Sequence, residues 1–316
     1  SFTKYTMPDF QNKDMPTIFF SITSCKRLEL FKQTVNSIVN QWTDANKIDY
    51  WFCVDDNSSE ADRSIMTKQY PWFDYCMKGE SEKGHRKSMN IIWDKLNELR
   101  PTYWIHMEDD FLFHEKDEYV EKSMHALDAL NASRVHQIVF NRNYAETILD
   151  YKISGHTRTA CPDIVMHNHN NLPHGYINAH YWPHYTFRPS MVDVAKILEL
   201  GNYDSENQFF EMDYANKWTG AGYKTAFFDR ITHCHIGKLT SERNSDAQQN
   251  AYSLNDESQF TSVNKDIPIK IVNLERRVDR KNAMNATLKK HHFTETQYEF
   301  VNAVDGNKLE PCVELV

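Results

Sequence analysis

No stretch of this chain approaches the roughly 20 consecutive apolar residues that a membrane-spanning helix needs, so no span is expected. The six cysteines, at positions 25, 53, 76, 161, 234 and 312, form no CxxC pair and no dense framework. Reduced thiols in a cytoplasmic setting are therefore expected rather than disulfides. The opening Ser1-Phe2-Thr3-Lys4-Tyr5 has neither an initiator Met nor the pattern of a signal peptide. A luminal or extracellular home stays open if a leader has been removed. Positive charge is also in deficit: 36 Lys and Arg face 44 Asp and Glu, a net charge of -8. That argues against a broad nucleic-acid surface, while leaving room for a local basic pocket that takes phosphate.

What is present is apolar and aromatic. Hydrophobic residues make up 40% of the 316 and aromatics 13%, enough for a sizeable core and for rings that stack on a ligand. Residues 17–24 read as a buried strand of β-branched and aromatic residues. Leu28, Phe31, Val35, Ile38, Val39 and Trp42 then recur at helical spacing. A short strand at 50–54 ends in Asp55-Asp56-Asn57-Ser58-Ser59, a turn and helix-cap signal, and a helix follows to about Tyr70. Further helices are expected at 84–98 and 117–130, with strands at 103–107 and 135–140. Strand and helix alternate, so the first half reads as α/β with a mostly parallel sheet. Residues 141–190 look irregular and rich in His, Asn, Pro and Tyr. Helices are expected at 190–200 and 205–219, a short strand from Tyr223 to Asp229, and a polar linker at 241–262.

The segment Tyr103-Trp104-Ile105-His106-Met107-Glu108-Asp109-Asp110 carries the chemistry. An apolar run ends abruptly in three acids. On a strand, side chains alternate faces, so Glu108 and Asp110 would point the same way. Two carboxylates at a buried strand end are costly unless something positive sits between them. A hard divalent cation carrying phosphate oxygens meets that demand. In parallel sheets ligands bind beyond the carboxyl ends of the strands. Thr23-Ser24 with Arg27, Asp55-Asp56, and Glu108 to Asp110 all fall at such ends, which makes them one candidate site.

Three later segments add to it. Glu211-Met212-Asp213-Tyr214 precedes Gly220-Ala221-Gly222-Tyr223; on a helix, Glu211 and Asp213 do not share a face, so at most one serves the site. In Ile231-Thr232-His233-Cys234-His235-Ile236-Gly237-Lys238, His233 and His235 share a face if the segment is a strand, and either imidazole could ligate a metal. The four-ligand spacing of a zinc site is missing. The stretch from His156 to Phe187, with Tyr176, Tyr181, Trp182 and Tyr185, has the rings and amides that suit sugar faces and hydroxyls. Beyond it, a unit starting at Ile267, with a strand at 268–274, a helix at 276–290 and a strand at 298–301, forms one strand–helix–strand, too short for a convincing independent domain.

The first 240 residues resemble a GT-A glycosyltransferase, nearest the family-2 type. The resemblance rests on Thr23-Ser24-Cys25-Lys26-Arg27, on Val54-Asp55-Asp56-Asn57-Ser58-Ser59, on Lys83-Gly84-His85-Arg86-Lys87-Ser88-Met89-Asn90 and on Glu108-Asp109-Asp110. The usual metal motif of the family is Asp-x-Asp, so Glu108 is a departure. The resemblance implies a Rossmann-like nucleotide-diphospho-sugar fold over residues 1–262, with Mn²⁺ or Mg²⁺ as cofactor and a UDP-sugar as donor. It implies that Asp55 binds the uracil edge with Thr23 and Arg27 nearby, and that Asn90 lines the donor pocket. Glu108 would face the ribose or a metal-bound water, and Asp110 would bind the metal. A late His would complete the metal shell: His235 is favoured over His233, because Gly237 allows close backbone approach and Lys238 could neutralise phosphate. One acid of Glu211 and Asp213 would deprotonate the acceptor, with Asp213 favoured.

The tail, through Ile271-Val272-Asn273-Leu274-Glu275-Arg276-Arg277, Asp279-Arg280 and Phe300-Val301-Asn302-Ala303-Val304-Asp305-Gly306, resembles the opening of a family-25 glycosyltransferase, the procollagen galactosyltransferase class. A truncated βαβ segment over 263–316, structural or dimer-forming, is implied. Two such modules in one chain are similar to the collagen-glycosylating proteins of giant viruses. That implies UDP-glucose as donor, galactosyl-hydroxylysine of a collagen-like protein as acceptor, and a location in host cytoplasm or with the virion. A transferase acting on another glycan or polysaccharide, and an inactive sugar-nucleotide-binding or assembly module, stay open as alternatives. So does the choice between retention and inversion.

Overall fold

The run Ile-Phe-Phe-Ser-Ile-Thr-Ser forms strand β1 (Ile18–Ser24), buried along its whole length. The computed structural model describes residues 10, 15–142, 156–167, 185–237, 251–256, 269–290 and 298–303. The chain divides into two units, Ser1–Gln259 and Phe260–Val316. In the first, β1 leads into α1 (Leu28–Gln41), which buries Phe31, Val35 and Ile38 as its spacing predicts, and Leu30 besides, while Val39 of the expected face is exposed. Next come β2 (Tyr50–Asp56) and α2 (Glu60–Gln69). Ser59 caps α2 by accepting from Asp62 N, with Glu60 and Asp62 in the first turn where the helix dipole favours acids.

The chain continues through β3 (Asp74–Lys78), α3 (His85–Leu99), β4 (Tyr103–Glu108), β5 (Phe111–Phe113), α4 (Tyr119–Leu130) and β6 (Val135–Val139). After β7 (His156–Arg158) and β8 (Ile164–His167) come β9 (Ser190–Asp193), α5 (Val194–Leu200) and α6 (Phe210–Gly220). Strands β10 (Lys224–Phe228) and β11 (His233–His235) and the short helix α7 (Ala251–Leu254) complete the unit. Nine of these strands form one sheet in the order β3-β2-β1-β4-β9-β6-β10-β8-β7. The block β3-β2-β1-β4 is parallel throughout, and β6 pairs parallel with β10. Strand β9 lies antiparallel between β4 and β6. The mostly parallel α/β sheet expected from the alternation of elements is present.

Alternation sorts each strand between two cores. Ile18, Phe20, Ile22, Trp51, Cys53, Ile105 and Met107 pack with α1, α4 and Met66 of α2. Phe19, Tyr50, Phe52, Val54 and Trp104 pack on the other face with α3, α5 and α6. Each large apolar side chain so buried stabilises the fold by roughly 1.5–3 kcal/mol. The same parity governs the strand ends. Thr23, Asp56 and Glu108 fall on the α3 face, and Asp55 falls on the α2 face.

Several elements differ from the sequence reading. Strand β2 runs two residues further than 54 and takes in both aspartates. Residues 190–193 are a strand rather than the start of the expected helix, and Asp193 then caps α5 by accepting from Ala195 N at 3.1 Å. The helix expected at 205–219 begins at Phe210. Strands β3, β5, β7 and β8 had no counterpart in the reading. Within the polar stretch 241–262, residues 251–254 are helical.

The second unit is a parallel pair, β12 (Ile269–Asn273) with β13 (Tyr298–Asn302), joined through α8 (Val278–Lys290). This is the expected strand–helix–strand. Leu288 is buried, whereas Val272, Val278 and Met284 are exposed.

Candidate functional site

Strand β4 ends at Glu108, and the chain turns at Asp109-Asp110 before β5. Strand β11 pairs antiparallel with β5, setting His235 opposite Phe111. Ile236 N donates to the Asp110 carbonyl at 2.8 Å, which holds the two turns together. His235 Nε2 comes to rest 3.2 Å from Asp110 Oδ2, and Arg27 Nη1 donates to the same oxygen at 2.9 Å. Burial works against ionisation of Asp110, but the His235 contact and the Arg27 charge outweigh it and hold the carboxyl below its usual range. Its other oxygen, Oδ1, is buried without a hydrogen-bond partner among the described residues.

Gly237 explains the close approach. A Cβ there would come within 2.8 Å of the Asp110 Cβ and closer still to its carboxylate. Only glycine lets the β11 end lie over this side chain. Asp109 accepts from Ser24 Oγ and Cys25 N, each at 3.2 Å, and pairs with Arg27 Nη2. Arg27 therefore sits between Asp109 and Asp110, supplying positive charge to the acidic turn.

Beside this turn lies a cleft with about 380 Å³ of empty space, counting its open mouth, lined by Thr23, Arg27, Asp56, His85, Glu108 and Tyr252 among others. Asp56 is held from several sides. Gly84 N donates to its Oδ2 at 2.9 Å, and Lys78 Nζ stands 3.1 Å from its Oδ1. Lys78 is itself buried, donating to Gly84 O and Ser88 Oγ at 2.8 Å each, so this interior ion pair is fully hydrogen-bonded. His85 opens α3. Its Nδ1 meets the Tyr252 hydroxyl at 2.9 Å, and its Nε2 points toward Glu108 Oε1 at 3.7 Å. Burial, with Lys78 nearby, lowers the His85 pKa to about 4, so the ring is neutral at physiological pH. Burial also pushes the Glu108 carboxyl up, helped by the neighbouring Asp110 and Glu211 charges.

The residues expected at the site divide accordingly. Thr23, Glu108, Asp110 and His235 converge at the strand ends. Asp55 does not reach the cleft: it is fully buried on the α2 face, accepting from Ser58 Oγ at 2.6 Å and from Arg63 Nε at 2.8 Å. One step of strand alternation gives its expected place to Asp56. Asn90 does not line the cleft either; its amide ties α3 to Tyr203 by bonds of 3.0 and 2.9 Å. His233 is buried against Phe111 and Phe113, leaving His235 as the imidazole beside Asp110. Glu211 is near enough to Glu108 to raise it, and accepts from Phe187 N at 2.8 Å and Thr186 Oγ1 at 3.1 Å. Asp213 turns the other way and is bonded by the Ser205 hydroxyl. Lys238, Tyr176, Tyr181 and Trp182 lie outside the described residues. Asp56, His85 and Asp109 stand in segments the sequence points to but carry no role of their own there, and Tyr252 is not singled out at all; a strand continued through Asp56 reveals the face of the first.

Among the described residues no group of three His, Cys, Asp or Glu is arranged to hold a metal ion. A Mg²⁺-type ion does not need one, because it is usually held by one or two protein ligands plus substrate phosphates and waters. The buried, unbonded Oδ1 of Asp110 with the adjacent His235 imidazole fits such an ion.

No protein-family model matches the chain, and no curated protein matches it. Among solved structures it is similar to GalNAc-T7 with UDP, GalNAc and Mn²⁺, at 12% identity and a TM-score of 0.50, over 77% of this chain and 48% of that one. It also aligns with the mannosyltransferase PcManGT from Pyrobaculum calidifontis in complex with GDP-Man and Mn²⁺, at 12% identity and a TM-score of 0.48, over 74% and 60%. The chain thus spans about half to three-fifths of the length of these structures. At such identity the likeness concerns the fold, which is the α/β fold of GT-A glycosyltransferases.

Proposed function

We propose that this chain is a metal-dependent glycosyltransferase that takes a UDP-sugar, with UDP-glucose as donor and galactosyl-hydroxylysine of a collagen-like protein as acceptor. The observation that carries the reading is Asp110. A buried carboxylate beside His235, with one oxygen unbonded and a glycine kept clear above it, stands at the ends of parallel strands where ligands of such sheets bind. The acceptor and the sugar rest on the resemblance of the two modules to collagen-glycosylating enzymes.

The roles follow from position. Thr23 and Asp56 form the end of the cleft that would take the base, with the Asp56 carboxylate as acceptor for the uracil imide. His85 and the amino end of α3 would face the diphosphate, where helix N–H groups favour negative charge. Asp110 and His235 would hold Mn²⁺ or Mg²⁺, which neutralises the charge developing on the leaving diphosphate. Arg27 adds a fixed positive charge to the same turn. Glu211, whose carboxyl is raised by burial, is better placed than Asp213 to take the acceptor proton.

The exposed Val272, Val278 and Met284 of the second unit suit a contact between two copies of the chain, which sedimentation of the protein with and without residues 263–316 checks. The central test is hydrolysis of UDP-glucose and transfer to a galactosyl-hydroxylysine peptide, with Mn²⁺ and with EDTA. Mn²⁺-dependent hydrolysis and transfer is the expected result. Hydrolysis without transfer would keep the enzyme and remove this acceptor. Neither hydrolysis nor UDP binding would overturn the reading.

A further inference from the structure

Residues 251–256 lie against the cleft wall that would receive the base. Lys26 Nζ donates to Leu254 O at 3.0 Å, and Cys25 Sγ lies 3.7 Å from Ala251 O, so the segment is fastened to the turn after β1. Ala251 and Tyr252 line the cleft. Two side chains reach into the machinery itself. The Tyr252 hydroxyl meets His85 Nδ1 at 2.9 Å, and Asn255 Nδ2 donates to Asp56 Oδ2 at 2.9 Å. Asn255 is 1% exposed, so this amide bond is shielded from water.

The chemistry of the second contact is specific. The partners of Asp56 from its own surroundings are Gly84 N, Lys78 and Asn57, which belong to the turns that build the cleft. Asn255 is different: it comes from a segment 199 residues further along the chain. A carboxamide presents an N–H donor next to a carbonyl acceptor. The imide edge of uracil presents the same pair, and a carboxylate holding the amide has its oxygens engaged. We infer that residues 251–256 are an intramolecular occupant of the base end of the cleft, with Asn255 holding Asp56 in place of the nucleotide, and that a UDP-sugar must displace them to bind. The inference rests on the proposed nucleotide site.

The consequence is an equilibrium between a closed chain and an open, donor-competent one. Apparent donor affinity is then reduced by the fraction of chains that are open. Loosening the segment should tighten UDP binding, the opposite of what losing a donor-binding residue does. Hydrogen exchange of the wild-type chain gives a second readout that needs no variant, since displaced residues lose protection.

The experiment is calorimetry of UDP with Mn²⁺ on the full chain, on Asn255→Ala and on the double variant Tyr252→Phe with Asn255→Ala, together with exchange over 251–256 with and without UDP. Expected are a Kd about tenfold lower in the double variant and faster exchange of 251–256 when UDP is bound. Unchanged or weaker UDP binding in the variants, or slower exchange on binding, would overturn the inference while leaving the nucleotide site standing. No UDP binding by any of the three proteins would remove the site and the inference together.

Discussion

His235 Nε2 stands 3.2 Å from Asp110 Oδ2, and the pairing of β11 with β5 puts it there. Strands of three residues each are weak pairing units. The backbone bond from Ile236 N to Asp110 O and the bare Cα of Gly237 complete the approach. Arg27 Nη1 donates to the same Oδ2. A cation entering here meets one carboxylate oxygen already bonded and one unbonded, so it would bind without dismantling the Arg27 contact.

Asp110→Ala removes the proposed oxygen ligand and the partner of both Arg27 and His235. Loss of one such contact at developing charge costs about 10²–10³ in rate. Mn²⁺-dependent hydrolysis of UDP-glucose in metal-buffered solution measures it. Activity within about threefold of wild type would take Asp110 out of the reaction.

Gly237→Ala places a methyl group on the Asp110 side chain. Overpacking of this kind costs about 1–3 kcal/mol, and here the strain falls on the carboxylate that would hold the metal. A lowered Tm with a larger fractional loss of Mn²⁺-dependent activity is expected. A variant as active and as stable as wild type would mean that β11 shifts freely over Asp110.

Long elements were legible because they contain enough residues to show a period. Strands β1, β2 and β4 are runs rich in β-branched and aromatic residues, and α1 buries Phe31, Val35 and Ile38 as its spacing predicts, though Val39 is exposed. Short elements were not. Strand β9 has four residues, which read as the first turn of α5, and β3 is an edge strand with charged ends. At the site, Asp110 and His235 were legible from residue type and neighbours. The Asp55–Asp56 pair was misassigned because ending β2 at 54 hides its parity, and a shift of one residue exchanges the faces. Asn255 and Tyr252 come from a polar stretch whose composition carries no trace of the cleft it meets. Asn90 matched a motif, but its amide is spent on Tyr203.

Asp55 and Asp56 should separate in experiment. Asp55→Asn loses the charge opposite Arg63 inside the α2 face. Breaking a buried pair costs about 3–5 kcal/mol, somewhat less here because Arg63 keeps 15% of its surface open. UDP affinity of the folded variant should stay within about threefold, since Asp55 does not line the cleft. Asp56→Asn should weaken UDP about tenfold or more, the scale of a lost charge-assisted hydrogen bond. Thermal melts and calorimetry read both, and the reverse pattern would restore Asp55 to the base.

Stability should fall on mild acidification. His106 is 1% exposed, bonded to Ser21 Oγ at 2.9 Å, and burial, with His85 close by, holds its pKa well below 6.5. The unfolded chain takes up this proton near pH 6.5 and the folded chain only at much lower pH. Stability is therefore full above pH 6.5 and lost as pH falls below it, by up to about 1.4 kcal/mol per pH unit for one such ring. Denaturant melts of wild type and His106→Gln at pH 7, 6 and 5 should show a shallower slope for the variant by about that amount. Parallel slopes would mean that the ring is charged inside the fold.

Glu211 and Asp213 are two residues apart on α6, so the helix sends them to different places. Glu211 accepts from Phe187 N and Thr186 Oγ1, bonds that fix its carboxylate near Glu108. Burial raises its pKa, which makes it a better proton acceptor than an ordinary solvated carboxylate. Asp213 is bonded instead by the Ser205 hydroxyl. Glu211→Gln can keep both hydrogen bonds through its amide oxygen while losing the ability to take a proton. A general base contributes typically 10²–10⁴ in rate, so glycosyl transfer should fall about 10² or more. UDP affinity should stay near wild type, because the lost function concerns the acceptor. Asp213→Asn should transfer at about the wild-type rate, within threefold. Transfer kinetics with saturating donor distinguish the two. A large loss in Asp213→Asn with little in Glu211→Gln would place the base on the other side of α6 and require the acceptor to approach from there.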